Sequence, residues 1–232
     1  MLHHVSREKY SWLKSLIALL LVLFCLWASQ WQYHRGVDRH HRNFLITTQS
    51  ARAQIPLLDA LRDLPGNEWR SVTTTGTFDA QSQILLRNRY YEGQYGFEQL
   101  TLFVDTEGRK FWVDRGWVKA GKNALTPPAL VSTPSESMEI LGRLRLDSSL
   151  PRGSFFAVGA EGSLISKLNA QSGAQSENFY IDLISASVPK VNPIAPAQLP
   201  ELTDGPHMAY ALQWIFFGAL VIYGRRLIRR SA

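Results

Sequence analysis

The chain has 232 residues, 25 Lys and Arg against 19 Asp and Glu, and one cysteine. A single cysteine excludes an intrachain disulfide, so the folded part must be held by core packing alone. The net charge of +6 sits at the ends: residues 36–204 carry 17 basic and 18 acidic residues, which excludes a nucleic-acid binder built on a basic domain.

In chain order, the first element is a span. Between Lys14 and Arg35 lie 20 residues with no Asp, Glu, Lys or Arg. At about 1.5 Å per helical residue they cross the roughly 30 Å hydrocarbon core of a bilayer, which predicts a transmembrane helix over 15–34. A cleaved signal peptide needs small residues before the cut, and bulky Leu26 and Trp27 stand just ahead of Ala28 and Ser29. Phe24 before Cys25 likewise disfavours a lipoprotein, so the expectation is an uncleaved anchor following a 14-residue cytoplasmic N-terminus.

Asp38 to Gln49 reads as a short polar helix leaving the membrane, and Pro56 to Leu64 has helical spacing with proline near its start. Strands are predicted at Ser71–Phe78, Gln83–Arg87, Phe97–Asp105, Lys110–Val118, Met138–Leu146 and Phe179–Ile184. The Thr106-Glu107-Gly108 turn makes the third and fourth of these a hairpin. Loops are expected at Gly121–Glu136, Gln171–Glu177 and Pro189–Pro206. A second uncharged stretch of 20 residues, 205–224, predicts a second transmembrane helix before a basic tail at 225–232. The fold class is a membrane protein with N- and C-terminal transmembrane helices flanking one extracytoplasmic β-rich α+β domain over 35–204. That domain is expected to be a partly closed barrel or a curled antiparallel sheet.

Charge placement sets the expected topology. Arg7, Lys9 and Lys14 precede the first span, and Arg225, Arg226, Arg229 and Arg230 follow the second. Cytoplasmic flanks collect such residues, which predicts both termini in the cytoplasm and the domain outside. Arg35, Arg39 and Arg42 oppose the rule after the first span; the second span, bare before and cationic after, outweighs them.

The chain shows no zinc-type cysteine pair, Gly-rich phosphate loop, His-Glu-x-x-His or Gly-x-Ser-x-Gly. His40 and His41 are adjacent, and neighbouring side chains on a helix diverge by about 100°, so a solvated polar face is expected rather than a metal site. What remains is a set of polar and aromatic residues at one membrane depth. Trp31-Gln32-Tyr33-His34-Arg35 ends the first span. His207, Tyr210, Ala211 and Trp214 open the second at i, i+3, i+4 and i+7. One reading is an interfacial Trp/Tyr belt with a snorkelling arginine. The other starts from His207, because an ionisable residue just inside a span usually has a partner or ligand. A neutral imidazole is an axial ligand for haem iron, and Arg35 is suited to a propionate.

Three motifs in order, Trp31-Gln32-x-x-Arg35, Val113-Asp114-Arg115-Gly116-Trp117-Val118 and His207-x-x-Tyr210-Ala211-x-Gln213-Trp214, resemble the Surfeit locus protein family of cytochrome oxidase assembly factors. The likeness runs from about residue 13 to the end. Lys119 replaces a proline common after the middle motif, and no glycine precedes Trp31-Gln32, which marks a divergent bacterial member. The resemblance implies a non-enzymatic role in the bacterial plasma (inner) membrane, assisting delivery of haem a into the catalytic subunit of a haem-copper oxidase. Haem a synthase is a further implied partner. His207 matches the family's haem-linked histidine, with Trp31, Arg35, Tyr210 and Trp214 expected to shape an intramembrane cleft. Arg115, Gly116 and Trp117 are expected either to build the strand or to dock the oxidase subunit. On a strand, Arg115 and Trp117 share a face with Phe111 and Val113. The alternatives are a membrane-tethered scaffold that binds protein without haem, and an envelope hydrolase, which would need an acid, base or nucleophile converging on the outer domain.

Overall fold

The computed structural model describes residues 10–122, 128–131, 133–146 and 163–231. Arg7, Lys9 and part of the loop expected at 121–136 lie outside them. The chain divides into two compact units, Met1–Leu45 with Glu201–Ala232, and Ile46–Pro200.

The first unit is built from two helices. Helix α1 runs Ser11–Ala51, 41 residues without a break. The expected polar helix at 38–49 is therefore a continuation of the span, not a separate element. Gly36 does not interrupt it, because a single interior glycine costs only about 1 kcal/mol relative to alanine. Helix α4 runs His207–Arg230. Both are long and apolar enough to cross a membrane. Their outward faces are bare hydrocarbon: Leu20 is 56% exposed, Phe216 61% and Leu220 64%. An unbroken apolar surface of that kind is stable against lipid and not against water.

The second unit is a small barrel. A two-residue strand β1 (Ile55–Pro56) leads into the one-turn helix α2 (Leu57–Ala60) and two 3₁₀ turns, Leu61–Asp63 and Pro65–Asn67. The helical stretch expected at Pro56–Leu64 thus breaks into short turns. Then come β2 (Ser71–Tyr91), β3 (Gln94–Asp105), β4 (Lys110–Lys119), β5 (Met138–Leu146), helix α3 (Leu164–Ser172) and β6 (Phe179–Ala186). The strands pair in the order β1-β2-β3-β4-β6-β5, and β5 returns to pair with β2. Strands β2, β3, β4, β6 and β5 therefore close into a ring, antiparallel except for β4 with β6 and joined by β1 in parallel to β2. Closure removes the unpaired edges of an open sheet.

The two strands expected at 71–78 and 83–87 are one strand. The residues between them, Asp79 to Gln83, form a bulge against β3 instead of a turn. Asp79 holds the bulge, accepting from the Gln81 backbone N–H at 3.0 Å and the Ser82 hydroxyl at 2.8 Å.

Period-two alternation sorts the strand residues into two cores. Phe78, Phe103, Phe111, Val113, Ile140, Leu144, Phe179, Ile181 and Leu183 fill one, closed by Leu57 and Ala60 of α2. Their neighbours Ile84, Leu86, Leu100, Leu102, Trp112 and Tyr180 form the other, covered by Leu164, Ile165 and Leu168 of α3. At about 1.5–3 kcal/mol per buried large side chain, those three contacts fix α3 on the barrel. Trp112 Nε1 donates to Asn169 Oδ1 at 2.9 Å, which sets its register. The α3 segment is not evident from its Ser- and Gly-rich surroundings. Its start is marked only by Ser163, whose Oγ accepts from the Ser166 N–H at 3.1 Å.

Candidate functional site

Helices α1 and α4 pack antiparallel along a seam of small residues. A Cβ placed on Gly218 would stand 3.5 Å from Cys25 Cβ, and one on Gly36 would stand 3.3 Å from His207 Cβ and from Met208 Cε. Between these contacts the Ser29 hydroxyl donates to the Ala211 carbonyl at 2.8 Å, and both residues are buried. Cys25, Ser29, Gln32 and Gly36 recur at spacings of three and four, so one stripe of α1 faces α4 along its length. Lipid tails give no hydrophobic drive for helix pairing, and small residues that admit close backbone approach supply it by dispersion.

Polar groups bracket the seam. Near the C-terminal end of α4, Arg225 Nε donates to Ser15 Oγ at 3.0 Å, and its Nη2 donates to Ser11 O at 3.0 Å and to Ser11 Oγ at 2.9 Å. Just before α4, Asp204 receives Asn43 Nδ2 at 2.9 Å and lies 2.7 Å from His40 Nδ1. These two hydrogen bonds hold the Asp204 carboxyl below the usual carboxylate range. His40 is therefore a clasp on the returning chain; among the described residues no group of three or more His, Cys, Asp or Glu could hold a metal ion. From His207 to Arg225 the helix rises about 27 Å, close to a bilayer's hydrocarbon thickness.

His207 lies at the Asp204 end of the seam. Its Nδ1 is 2.9 Å from Gln32 Oε1. An amide oxygen accepts only, so this contact places the proton on Nδ1 and leaves the Nε2 lone pair outward. A ligand histidine is set up in the same way, with one nitrogen held and the other bare. Among the described residues, Nε2 makes no hydrogen bond. The expected companions are arranged differently. Arg35 stacks over Trp31, 5.4 Å from the ring centroid, one residue round the helix from the seam. Trp31 and Tyr210 are about half exposed, and Trp214 packs edge-on against Phe24 at 5.6 Å. Arg39 and His207 both border Gly205. A Cβ on Gly205 would lie 3.5 Å from Arg39 Nη1 and 3.8 Å from His207 Nε2. The donor set, one bare imidazole nitrogen with a guanidinium nearby, fits a haem iron and a carboxylate. Spacing could have pointed to Gln32 and Gly36, which share the stripe of Cys25 and Ser29. Arg39, three residues on from Gly36, continues the same stripe, and its place near His207 depends also on the turn at Gly205.

The Arg-Gly-Trp run sits on β4 at a second bulge, where Arg115 and Gly116 together oppose Gln99. The extra residue reverses the alternation, so Arg115 and Trp117 do not share a face. Arg115 is fully buried, its guanidinium 4.9 Å from the Phe78 ring and its Nη1 donating to Thr133 Oγ1 at 2.5 Å. Burial lowers its pKa to about 10. Trp117 lies over Gly96 instead, and its Nε1 donates to Arg89 O at 3.3 Å. A buried guanidinium is a packing element and offers no docking surface.

The SURF1 family model matches residues 19–219. The chain belongs to the SURF1 family. Members are known in general as oxidase assembly factors, a non-enzymatic class. It is also 29% identical over 221 residues to an uncharacterised SURF1-like protein of Mycobacterium bovis and to its counterparts in two strains of Mycobacterium tuberculosis. In each case 90% of this chain and 80% of the relative are covered. The SURF1 match takes in the whole seam from Cys25 to Gly218 and the Arg115–Trp117 bulge.

The barrel of this SURF1-family chain also carries a row of acids, buried Asp114 and Asp182 and partly exposed Glu98, on the face of Trp112 and Tyr180. Asp182 pairs with Arg145 at 2.7 Å, and Glu98 with Arg89 at 2.6 Å. Arg145 is sandwiched by the Trp69 ring at 3.6 Å and the Tyr180 ring at 5.5 Å. Asp114 accepts the Gly116 N–H at 2.8 Å and has no ion pair among the described residues. Burial, then the nearby Glu98 and Asp182 charges, push its pKa well up. All three acids are tied to arginines or backbone, and Asp114 and Asp182 are sealed in packing.

Proposed function

We propose that this chain assists biogenesis of a haem-copper terminal oxidase by holding haem a for the oxidase's catalytic subunit, with His207 Nε2 as the iron ligand. The observation that carries the reading is the Gln32–His207 contact on the seam. It fixes the tautomer that leaves Nε2 available, at a membrane depth where an unliganded imidazole has little to gain. Haem a brings the redox chemistry of the oxidase; the chain's own part is to bind and release it. Gln32 orients the ring. Gly36 allows α1 to approach close enough for Gln32 to reach it. Arg39 and Arg35 supply cations for carboxylates, and Trp31, Tyr210 and Trp214 supply aromatic surface around the helix pair.

The four arginines in the last turns of α4 and the basic N-terminal flank support a topology with both termini in the cytoplasm of a bacterium and the barrel outside the plasma membrane. The catalytic subunit, and haem a synthase as donor, are the partners this reading requires. Deleting the gene and complementing with wild type or His207→Ala tests it. Wild type should restore the haem a absorbance of the oxidase, and His207→Ala, at equal protein level, should not. Full restoration by the variant contradicts the haem role and favours a scaffold that binds protein only.

A further inference from the structure

The hairpin of β2 and β3 runs on past β4, whose last pairs with β3 are Phe97–Val118 and Gly96–Lys119, and ends in a two-stranded arm. Beyond a register shift at Leu86–Arg89, the pairs are Arg89 with Gly96, Tyr90 with Tyr95 and Tyr91 with Gln94. Glu92 and Gly93, both at positive φ (48° and 73°), close the arm in the geometry of a two-residue type I′ turn. Five aromatics gather on it. Tyr90, Tyr95 and Phe97 form a ladder on one face, with ring centroids 5.6 Å apart at each step. Tyr91 and Trp117 stack on the other at 5.6 Å, over Gly96. The ladder is open: Tyr90 is 70% exposed and Tyr95 39%. Exposed Arg87 lies at the base of this hairpin and exposed Lys119 and Lys122 at the end of β4 beside it, Lys119 on the Trp117 face; the exposed acid of the hairpin is Glu92, and Glu98 pairs with Arg89.

Tyrosine and phenylalanine with Lys and Arg nearby match the headgroup layer of a bilayer, where an amphipathic ring keeps its apolar body in the acyl boundary and its hydroxyl in water. The positive balance complements anionic headgroups at roughly 1 kcal/mol per cation. The domain is joined at each end to a membrane-spanning helix, so bilayer is within constant reach and even weak insertion is favoured by effective concentration.

We propose that the arm Arg87–Phe97 is a membrane-surface anchor. Tyr90, Tyr95 and Phe97 seat in the headgroup boundary of an anionic bilayer, with Arg87, Lys119 and Lys122 on lipid phosphates. This rests on the two helices spanning a bilayer and is independent of haem.

The test uses the full chain in nanodiscs of equal parts phosphatidylcholine and phosphatidylglycerol. A nitroxide is placed at Tyr95→Cys, and separately at Tyr90→Cys, in a Cys25→Ser background, with Gln81→Cys as the control on the barrel. Power-saturation spectroscopy should give a several-fold higher ratio of oxygen to aqueous-nickel collisions at the arm than at the control. That ratio should fall in pure phosphatidylcholine. A control-like, water-type ratio at both arm positions overturns the proposal. So does a label that is water-exposed in lipid and becomes shielded only when oxidase subunits are added, which would make the arm a protein-docking site.

Discussion

Gly116→Ala tests why the middle motif has its form. Gly116 has φ +86°, which a side chain tolerates at a cost of roughly 1–2 kcal/mol. A Cβ there would also run into the Ala195 carbonyl and lie 2.8 Å from Pro193 Cβ. The Ala195 carbonyl accepts the Trp117 N–H at 2.8 Å, so relieving the collision loosens a hydrogen bond worth about 1 kcal/mol. The sum is about 2–3 kcal/mol, a large part of a typical domain stability of roughly 5–15 kcal/mol. For a domain of this size it lowers Tm by about 6–9 °C. Gly108→Ala is the internal control. Gly108 has φ +81° and open space around its would-be Cβ, so only the conformational cost applies. Melting the full chain in detergent, followed by near-ultraviolet circular dichroism, should show the Gly116 variant losing about 3 °C more than the Gly108 variant. Equal losses would refute the close-approach argument for the bulge.

Asp114→Asn keeps an acceptor for the Gly116 N–H and removes a buried acid. The folded pKa of Asp114 is raised, so the native state holds its proton more tightly than the unfolded chain does. That stability is complete below the unfolded pKa and is lost as pH rises through the folded one. The variant should melt higher than wild type at pH ~8 and converge with it near pH ~4, where the unfolded carboxyl is protonated as well; a constant offset across that range would contradict the assignment. Gly36→Leu puts a branched side chain where a Cβ is already 3.3 Å from His207. The helices must part by the width of a side chain, losing the Gln32 contact and roughly 1–2 kcal/mol of pairing. Cysteines at the Ser29 and Ala211 positions should crosslink readily in wild-type background and poorly with Gly36→Leu; undiminished crosslinking would count against the seam.

Much of the architecture is legible in the sequence because it rests on local pattern. The two spans follow from uncharged length. The boundaries of β4 and β5 follow from alternation between turn residues. The misses arise where tertiary structure overrides local signals. Asp79–Gln83 has turn composition, yet pairing with β3 on both sides carries β2 through it as a bulge. Arg115 and Trp117 sit two apart, which on a regular strand means one face, and Gly116 supplies the extra residue that separates them. Return of β5 to β2 depends on partners more than 60 residues apart, such as Val72 with Gly142, and no local pattern encodes it. At the candidate site the sequence isolates His207 because a histidine is out of place in a span. It does not single out Gln32 as the partner, and it favours Arg35 over Arg39. The reason is that helix rotation, not sequence nearness, decides which side chains meet.

The central claim is that His207 Nε2, held ready by Gln32, ligates haem. The most direct measurement is the visible spectrum of the full chain purified in detergent from cells making haem a, for wild type, His207→Ala and Gln32→Ala. The account predicts a Soret band in wild type, its loss in His207→Ala at unchanged protein yield, and a weakened band in Gln32→Ala. A wild-type preparation without the band, or an undiminished band in His207→Ala, would contradict it.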